Sequence, residues 1–331
     1  MYAFQVTEAN RPPSLTKTPI PIPAKGEVLL RIHACGLNFA DLLMVKGTYQ
    51  DTPAPPFTLG LEVCGTVVAH GEGVSHPIIG ARVAVFGGQG GLAEFGTFPA
   101  ADCIAVPGQM TSVEAAGFQV AYGTSHLALT RRARLKAKER LVVTGAAGGV
   151  GLTAVELGKA LGAEVVAIAR GEAKLRIAKE AGADHAIDST RPLEEIVQEL
   201  KTMGGVDVVY DAVGGDLFDA LFRACNREAR ILVIGFASGD VPRIPANHLL
   251  VKNIDVMGFY WGGYLAFNPQ ALRQSMSELF SLFQVGKLIP HVSHVLPLDR
   301  AQDALDLLTN RKSTGKVVVT PQELSNDPKS G

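Results

Sequence analysis

The chain has 331 residues, which is room for two domains at roughly 150 residues each and enough to bury cores without disulfides or structural metals. Its 31 Lys and Arg balance 32 Asp and Glu, and the resulting net charge of −1 gives nucleic acid and anionic membranes no long-range pull. A composition 47% hydrophobic and 19% charged excludes a disordered chain.

Residues 1–110 hold short strand-like runs broken by Gly and Pro. Pro12, Pro13, Pro19, Pro21 and Pro23 keep the first stretch extended. In EVLLRIHACGL, residues 27–37, Val28, Leu30, Ile32 and Ala34 alternate with Leu29, Arg31 and His33, the period of a half-buried strand. Further short runs at 62–69, 81–86 and 102–106 complete a β-rich, barrel-like region. Thr111-x-x-Glu114 is a capping box and predicts a helix start.

From about residue 111 to 262 the rhythm changes. Strands are predicted at 140–146, 164–170, 185–188, 206–213, 229–235 and 254–260, and helices at 150–162, 172–181, 192–202 and 216–226. Continuous apolar strands such as EVVAIA imply burial on both faces, hence a doubly wound parallel sheet. The apolar sixth strand is expected at a sheet edge, where pairing with a second copy would make a homodimer. Two helices, at about 269–285 and 299–310, and a strand at 315–320 follow. The tail 322–331 is expected to fray.

The sharpest motif is VVTGAAGGVG, residues 142–151: a strand runs into Ala146-x-Gly148-x-x-Gly151 and a helix follows. Small residues allow the tight turn, Gly148 lets backbone N–H groups approach a pyrophosphate, and Gly151 lets the helix pack closely. The predicted contacts are Ala147, Gly148, Gly149 and Val150. At the end of the next strand, where NAD-binding versions carry an acid, this chain has Arg170, with Lys174 one turn on. Two cations there favour the 2′-phosphate, hence NADP(H).

Four dispersed cysteines, Cys35, Cys64, Cys103 and Cys225, form no C-x-x-C pair and fit a reducing, cytoplasmic setting. The N-terminal MYAFQVTEANRPP lacks a secretory pattern, and no apolar run reaches the roughly 18 residues of a membrane span.

The segments ACGLNFADLLMVKGTY (34–49), LGLEVCGTVV (59–68), GAAGGVG (145–151), GADHAID (182–188), YDAVGG (210–215) and GKVVV (315–319) span nearly the whole chain. Together they resemble the medium-chain dehydrogenase/reductase superfamily, and within it the zinc-independent quinone oxidoreductase branch related to zeta-crystallin. The resemblance implies an α/β protein with two parts: a GroES-like barrel domain over 1–120 and 264–331, and a Rossmann domain over 121–263. Zinc-dependent members carry a ligand Cys where this chain has Asn38 and a Gly-His-Glu step where it has Gly60-Leu61-Glu62. Leu cannot bind zinc and an amide is a poor substitute for a thiolate, so no metal is expected. Quinones and α,β-unsaturated carbonyls are electrophilic enough to take hydride without one. The implied function is NADPH-dependent reduction of such small molecules. Alternatives are an enoyl-thioester (enoyl-CoA) reductase and a non-catalytic, crystallin-like NADPH-binding protein.

The resemblance also nominates site residues. Asn38 would donate its amide N–H to a developing oxyanion. Asp41 would orient Asn38 or hold a water, or else cap a turn. Tyr49 would donate a proton or pack. Glu62, without zinc, is left a structural role. Thr124 matches a threonine near the nicotinamide, and Gly235, Phe236 and Phe259 follow strands facing the cofactor crevice. Trp261 would wall the substrate pocket or pack in the core or a dimer interface. His126 is expected packed or exposed, and Lys316 resembles a basic residue that closes on the cofactor.

Overall fold

The structure, a computed structural model, describes residues 1–8 and 11–321. The expected fraying of 322–331 lies outside the described residues. The chain divides into two compact units, one of Met1–Val120 with the stretch from Pro290 onward, the other of Ala121–Ile289.

The first unit is β-rich. A small antiparallel sheet joins β1 (Tyr2–Val6) to β2 (Ser14–Lys17) and β4 (Phe57–Thr58). The larger sheet is organised by the long strand β3 (Glu27–Gly36), whose expected alternation is observed: Val28, Leu30, Ile32 and Ala34 are buried. One side of β3 pairs with β5 (Glu62–His70), which leads to β6 (Arg82–Phe86) and β8 (Ile104–Ala105). Its first half also pairs with β7 (Phe95–Pro99), and its last residues with β16 (Lys316–Thr320), which lies parallel to β15 (Val292–Pro297). Helices α1 (Phe39–Val45), α2 (Ser112–Ala116) and α11 (Ala301–Thr309) complete the unit. The Thr111 capping box starts α2: Glu114 N–H donates to Thr111 Oγ1 at 3.2 Å and Thr111 N–H to Glu114 Oε2 at 2.7 Å.

The second unit holds a six-stranded parallel sheet in the order β11-β10-β9-β12-β13-β14. These are β9 (Arg140–Thr144), β10 (Glu164–Ala169), β11 (His185–Asp188), β12 (Val206–Asp211), β13 (Cys225–Val233) and β14 (Asp255–Gly258), so the sixth strand does lie at an edge. Order reverses between β9 and β12, the place where doubly wound sheets open a crevice for a ligand. The helices are α3 (Gln119–Leu127), α4 (Gly149–Ala160), α5 (Glu172–Glu180), α6 (Leu193–Thr202), α7 (Gly215–Ala224), α8 (Ala246–Lys252), α9 (Tyr264–Phe267) and α10 (Pro269–Gln284). No helix among the described residues is long and apolar enough to cross a membrane.

One boundary differs from expectation. The chain returns to the first unit at Pro290, not at residue 264. Helix α10 stays with the second unit because its buried face, Leu272, Ser275, Met276 and Leu279, packs there. Its Ser275 Oγ lies 2.8 Å from His126 Nδ1 on α3, so His126 is a packed residue.

Candidate active site

In the first unit the chemistry gathers where β3 ends, β5 begins and β16 begins. A Cβ on Gly36 would lie 2.3 Å from Ala116 O, so only glycine lets the end of β3 reach α2. Asn38 then precedes α1. The first residue of β16 is Lys316, whose side chain runs along Gly117: a Cβ there would meet Lys316 Cβ at 3.2 Å. The buried Nζ donates to Leu37 O at 2.7 Å, Asn38 Oδ1 at 2.8 Å and Glu62 Oε1 at 2.7 Å. Glu62, fully buried, also accepts Asn38 Nδ2 at 3.0 Å and, through Oε2, the Val120 N–H at 3.0 Å. A buried carboxylate without such partners would be prohibitively costly.

Two of the expected site residues are held in this cluster. An ammonium has three N–H donors, and all three of Lys316 are given to the protein here. The Asn38 amide is clamped between opposite charges, its oxygen on Lys316 and its nitrogen on Glu62 and, at 3.3 Å, Gly36 O. Both of its N–H groups are given to protein oxygens here. Asn38 is a bridge in the ion pair.

Asp41 is the third residue of α1 and fully buried. It accepts the Asn38 N–H at 2.8 Å and the Gly60 N–H at 3.1 Å, which is helix capping plus a tie to the turn before β5. Burial pushes its carboxyl up to about 7, against the pull of those N–H groups and of Lys316. Burial likewise raises the Cys35 thiol well above its ordinary value, which disfavours its thiolate form. Leu61 is buried, and Tyr49 is half-buried against the core of this unit.

In the second unit β9 runs into the glycine loop. The turn itself falls one residue earlier than the fingerprint suggests. Gly145 takes φ +61°, the left-handed region, while buried Ala146 donates its N–H to Ile168 O at 3.1 Å and continues alongside β10. Gly148 is the exposed N-cap of α4. A Cβ on Gly151 would lie 2.2 Å from Gly145 O, so α4 can approach the turn only because that residue is glycine. The first-turn N–H groups, Gly149 to Gly151, have no partners within the helix and carry its positive end. Such a helix end can receive an anion; Ala147 is buried just before it, and the Gly148 N–H is taken by Gly145 O at 2.8 Å. Next to it, Thr144 Oγ1 donates to buried Asp211 at 2.5 Å, and Asp211 accepts Gly214 N–H at 2.9 Å. Burial raises the Asp211 carboxyl, and these bonds hold the ends of β9 and β12 together.

Past β10, Arg170 is exposed and Lys174 is half-buried in the first turn of α5. Sequence reasoning found no acid at this strand end. The structure brings one from the neighbouring strand: Asp188 closes β11 and accepts Gly171 N–H at 3.3 Å and both the N–H and the hydroxyl of Thr190 at 2.9 Å. The Thr190 donors hold its carboxyl below the usual range. Its Oδ1 is thus engaged in shaping the turn.

The strand-end residues divide. Gly235 and Phe236 follow β13, with Phe236 37% exposed. Phe259 follows β14 but is buried, its N–H on Val233 O at 3.1 Å and its ring 5.5 Å from that of Tyr264. Trp261 is buried against α3, so closely that a Cβ on Gly123 would lie 2.4 Å from its Nε1. Thr124, next along α3, is also buried. The sequence reading missed Glu156 altogether: it lies inside an apolar helix face and gave no motif.

Comparison with known proteins supports the two-part fold. Residues 24–108 match the alcohol dehydrogenase GroES-like domain, and residues 149–281 match the zinc-binding dehydrogenase domain. The chain is 39% identical over 301 residues to the quinone oxidoreductase-like protein 2 homolog of Nematostella vectensis, covering 90% of this chain and 82% of that one. It is 39% identical over 305 residues to the Bos taurus quinone oxidoreductase-like protein 2, covering 92% and 87%. Among solved structures it resembles the Escherichia coli quinone oxidoreductase complexed with NADPH, with a TM-score of 0.87, 28% identity and coverage of 97% and 99%. It likewise resembles the quinone oxidoreductase of Thermus thermophilus, solved alone and with NADPH, with a TM-score of 0.85, 32% identity and coverage of 97% and 100%.

Proposed function

The chain belongs to the quinone oxidoreductase-like family of the medium-chain dehydrogenase/reductase superfamily, and we propose that it reduces quinones or related α,β-unsaturated carbonyls with NADPH and without a metal. The observation that carries this reading is the glycine seat at the end of β9. Gly145 turns the chain, Gly148 leaves the first turn of α4 open, and Gly151 lets the helix close on the turn.

The seat would hold the pyrophosphate on the N–H groups of Ala147, Gly149 and Val150, while Gly148, whose own N–H is given to Gly145 O at 2.8 Å, would let the anion approach the backbone. Arg170 and Lys174 would pair with the 2′-phosphate. Thr124, Gly235, Phe236 and Phe259 are the residues proposed near the nicotinamide. NADPH held there would supply a hydride, two electrons and a proton, to the conjugated acceptor, and one further proton would complete the reduction. Tyr49 is the side chain proposed to face that oxygen, as a hydrogen-bond or proton donor. No Lewis acid is needed for an acceptor already electron-poor. The Lys316 ammonium balances Glu62 at the place where zinc-dependent relatives have their ligands.

The test is turnover of a panel of quinones, enones and enoyl thioesters with NADPH and with NADH. Quinone or enone reduction that favours NADPH supports the reading. Cofactor binding with no turnover across the panel overturns it, and a preference for enoyl thioesters reassigns the substrate.

A cytoplasmic homodimer is part of the same reading. The edge strand β14 supports the dimer, because an unpaired edge is a liability that a second copy would cover. Sedimentation at micromolar concentration decides it: a dimer is expected, and a monomer overturns it.

A further inference from the structure

The chain passes from the first unit to the second at Val120–Ala121 and back again at Ile289–Pro290. One side chain holds both passages. Glu156 lies on α4, the helix whose first turn forms the glycine seat, and is buried. Its Oε2 accepts the hydroxyl of Tyr122, just past the first passage, at 2.5 Å. Its Oε1 accepts the backbone N–H of Ile289, the last residue before the second passage, at 3.0 Å. The two partners are 34 and 133 positions away in sequence, so only the fold brings them to one carboxylate.

The surroundings reinforce this geometry. Thr153, three residues before Glu156, donates to Ala121 O at 3.1 Å. Ser125 on α3 donates to Val150 O at 2.9 Å and meets Thr153 Oγ1 at 2.8 Å and Tyr210 OH at 2.9 Å. The first passage is thus pinned to the first two turns of α4 by polar bonds, all within the second unit. The second passage is pinned through its Ile289 N–H. A contact that needed only packing would be met by an apolar side chain at position 156, because a buried carboxyl costs stability unless partnered. Burial pushes this carboxyl up to about 7, and the Tyr122 hydroxyl and Ile289 N–H draw it back down.

We propose that Glu156 is a positioning residue for hydride transfer, anchoring both chain passages to the helix that seats the dinucleotide. It touches neither substrate nor cofactor. The role rests on the function proposed above, but the anchoring itself is measurable without turnover.

Three variants test it. Glu156→Leu removes both bonds. Glu156→Gln keeps them, with Oε1 accepting from Ile289 and Nε2 donating to the Tyr122 oxygen. Tyr122→Phe removes one bond and leaves the carboxyl, a milder change should Glu156→Leu fold poorly. Hydrogen exchange of the Ile289 amide is expected to quicken at least tenfold in Glu156→Leu and to stay near wild type in Glu156→Gln. In turnover with NADPH and a quinone, Glu156→Leu is expected to lose at least tenfold in kcat while NADPH affinity changes less than about threefold. Glu156→Gln is expected to recover most of that loss, and Tyr122→Phe to fall between. Unchanged Ile289 exchange in Glu156→Leu overturns the anchor. So does a loss of NADPH affinity parallel to kcat, which would put Glu156 in the cofactor site. Absence of turnover in the wild type counts against the proposed function alone, since the exchange measurement still decides the anchor.

Discussion

Lys316 Nζ lies 2.7 Å from Glu62 Oε1, and both side chains are closed off from solvent at 8% and 1% exposure. They come from opposite ends of the chain, 254 positions apart, and Asn38 bridges them. Breaking a buried pair by removing one partner leaves the other charge stranded, at a cost of about 3–5 kcal/mol. Lys316→Met is therefore expected to be strongly destabilised in urea unfolding, and Lys316→Met with Glu62→Gln to recover much of the loss. A Lys316→Met protein as stable as wild type would contradict the pairing.

The same pair bears on zinc. The resemblance implies that Asn38 and Leu61 stand where zinc-dependent members carry ligands, and Glu62 is paired with an ammonium. Elemental analysis of purified protein is expected to find no stoichiometric zinc, and chelators are expected to leave turnover unchanged. One tightly held zinc per chain would overturn the reading.

Gly151 tests the dinucleotide seat. In Gly151→Ala the added Cβ would fall 2.2 Å from a backbone oxygen, Gly145 O, which cannot swing away as a side chain could. Helix and turn must separate, disturbing the N–H groups aimed at the pyrophosphate. NADPH affinity in a fluorescence titration is expected to fall at least tenfold, with NADH falling in parallel because the two share the pyrophosphate.

Arg170 and Lys174 should act on NADPH alone. A charge-assisted hydrogen bond contributes about 1.5–3 kcal/mol, and about 1.4 kcal/mol is tenfold in affinity. Replacing both with Ala is expected to weaken NADPH roughly ten- to a thousandfold and NADH far less, with the difference shrinking at high salt. Equal loss of both cofactors would remove these residues from 2′-phosphate recognition.

Glu156 also predicts a pH dependence of stability. Its carboxyl titrates at about 7 in the folded chain against an ordinary 4.5. Between those values the folded state holds a proton that the unfolded state has released. The stability this contributes is full below about 4.5 and is lost as pH rises through about 7. The neutral amide of Glu156→Gln does not titrate. The Tm of Glu156→Gln relative to wild type is therefore expected to rise between pH 5 and pH 8. A difference constant with pH would mean that Glu156 keeps an ordinary pKa.

Local patterns were legible in the sequence because their causes are local. The alternation of Val28, Leu30, Ile32 and Ala34 made β3, and Thr111 with Glu114 started α2. Gly148 and Gly151 between two apolar strands marked the turn into α4, where a Cβ on Gly151 would lie 2.2 Å from Gly145 O. What only the tertiary structure decided involves partners far apart in the chain. A lysine at position 316 reads as a surface or cofactor cation until β16 is laid beside β3 and its ammonium meets Glu62. Asn38 reads as a free amide donor until both of its N–H groups are seen to be engaged. The amphipathic α10 could pack on either unit by its pattern alone, and contacts such as Ser275 with His126 place the chain's return at Pro290. Periodicity and turn chemistry act over a few residues, but burial of a charge is tolerable only through partners that folding brings together. Those partnerships, and the roles that follow from them, exist only in three dimensions.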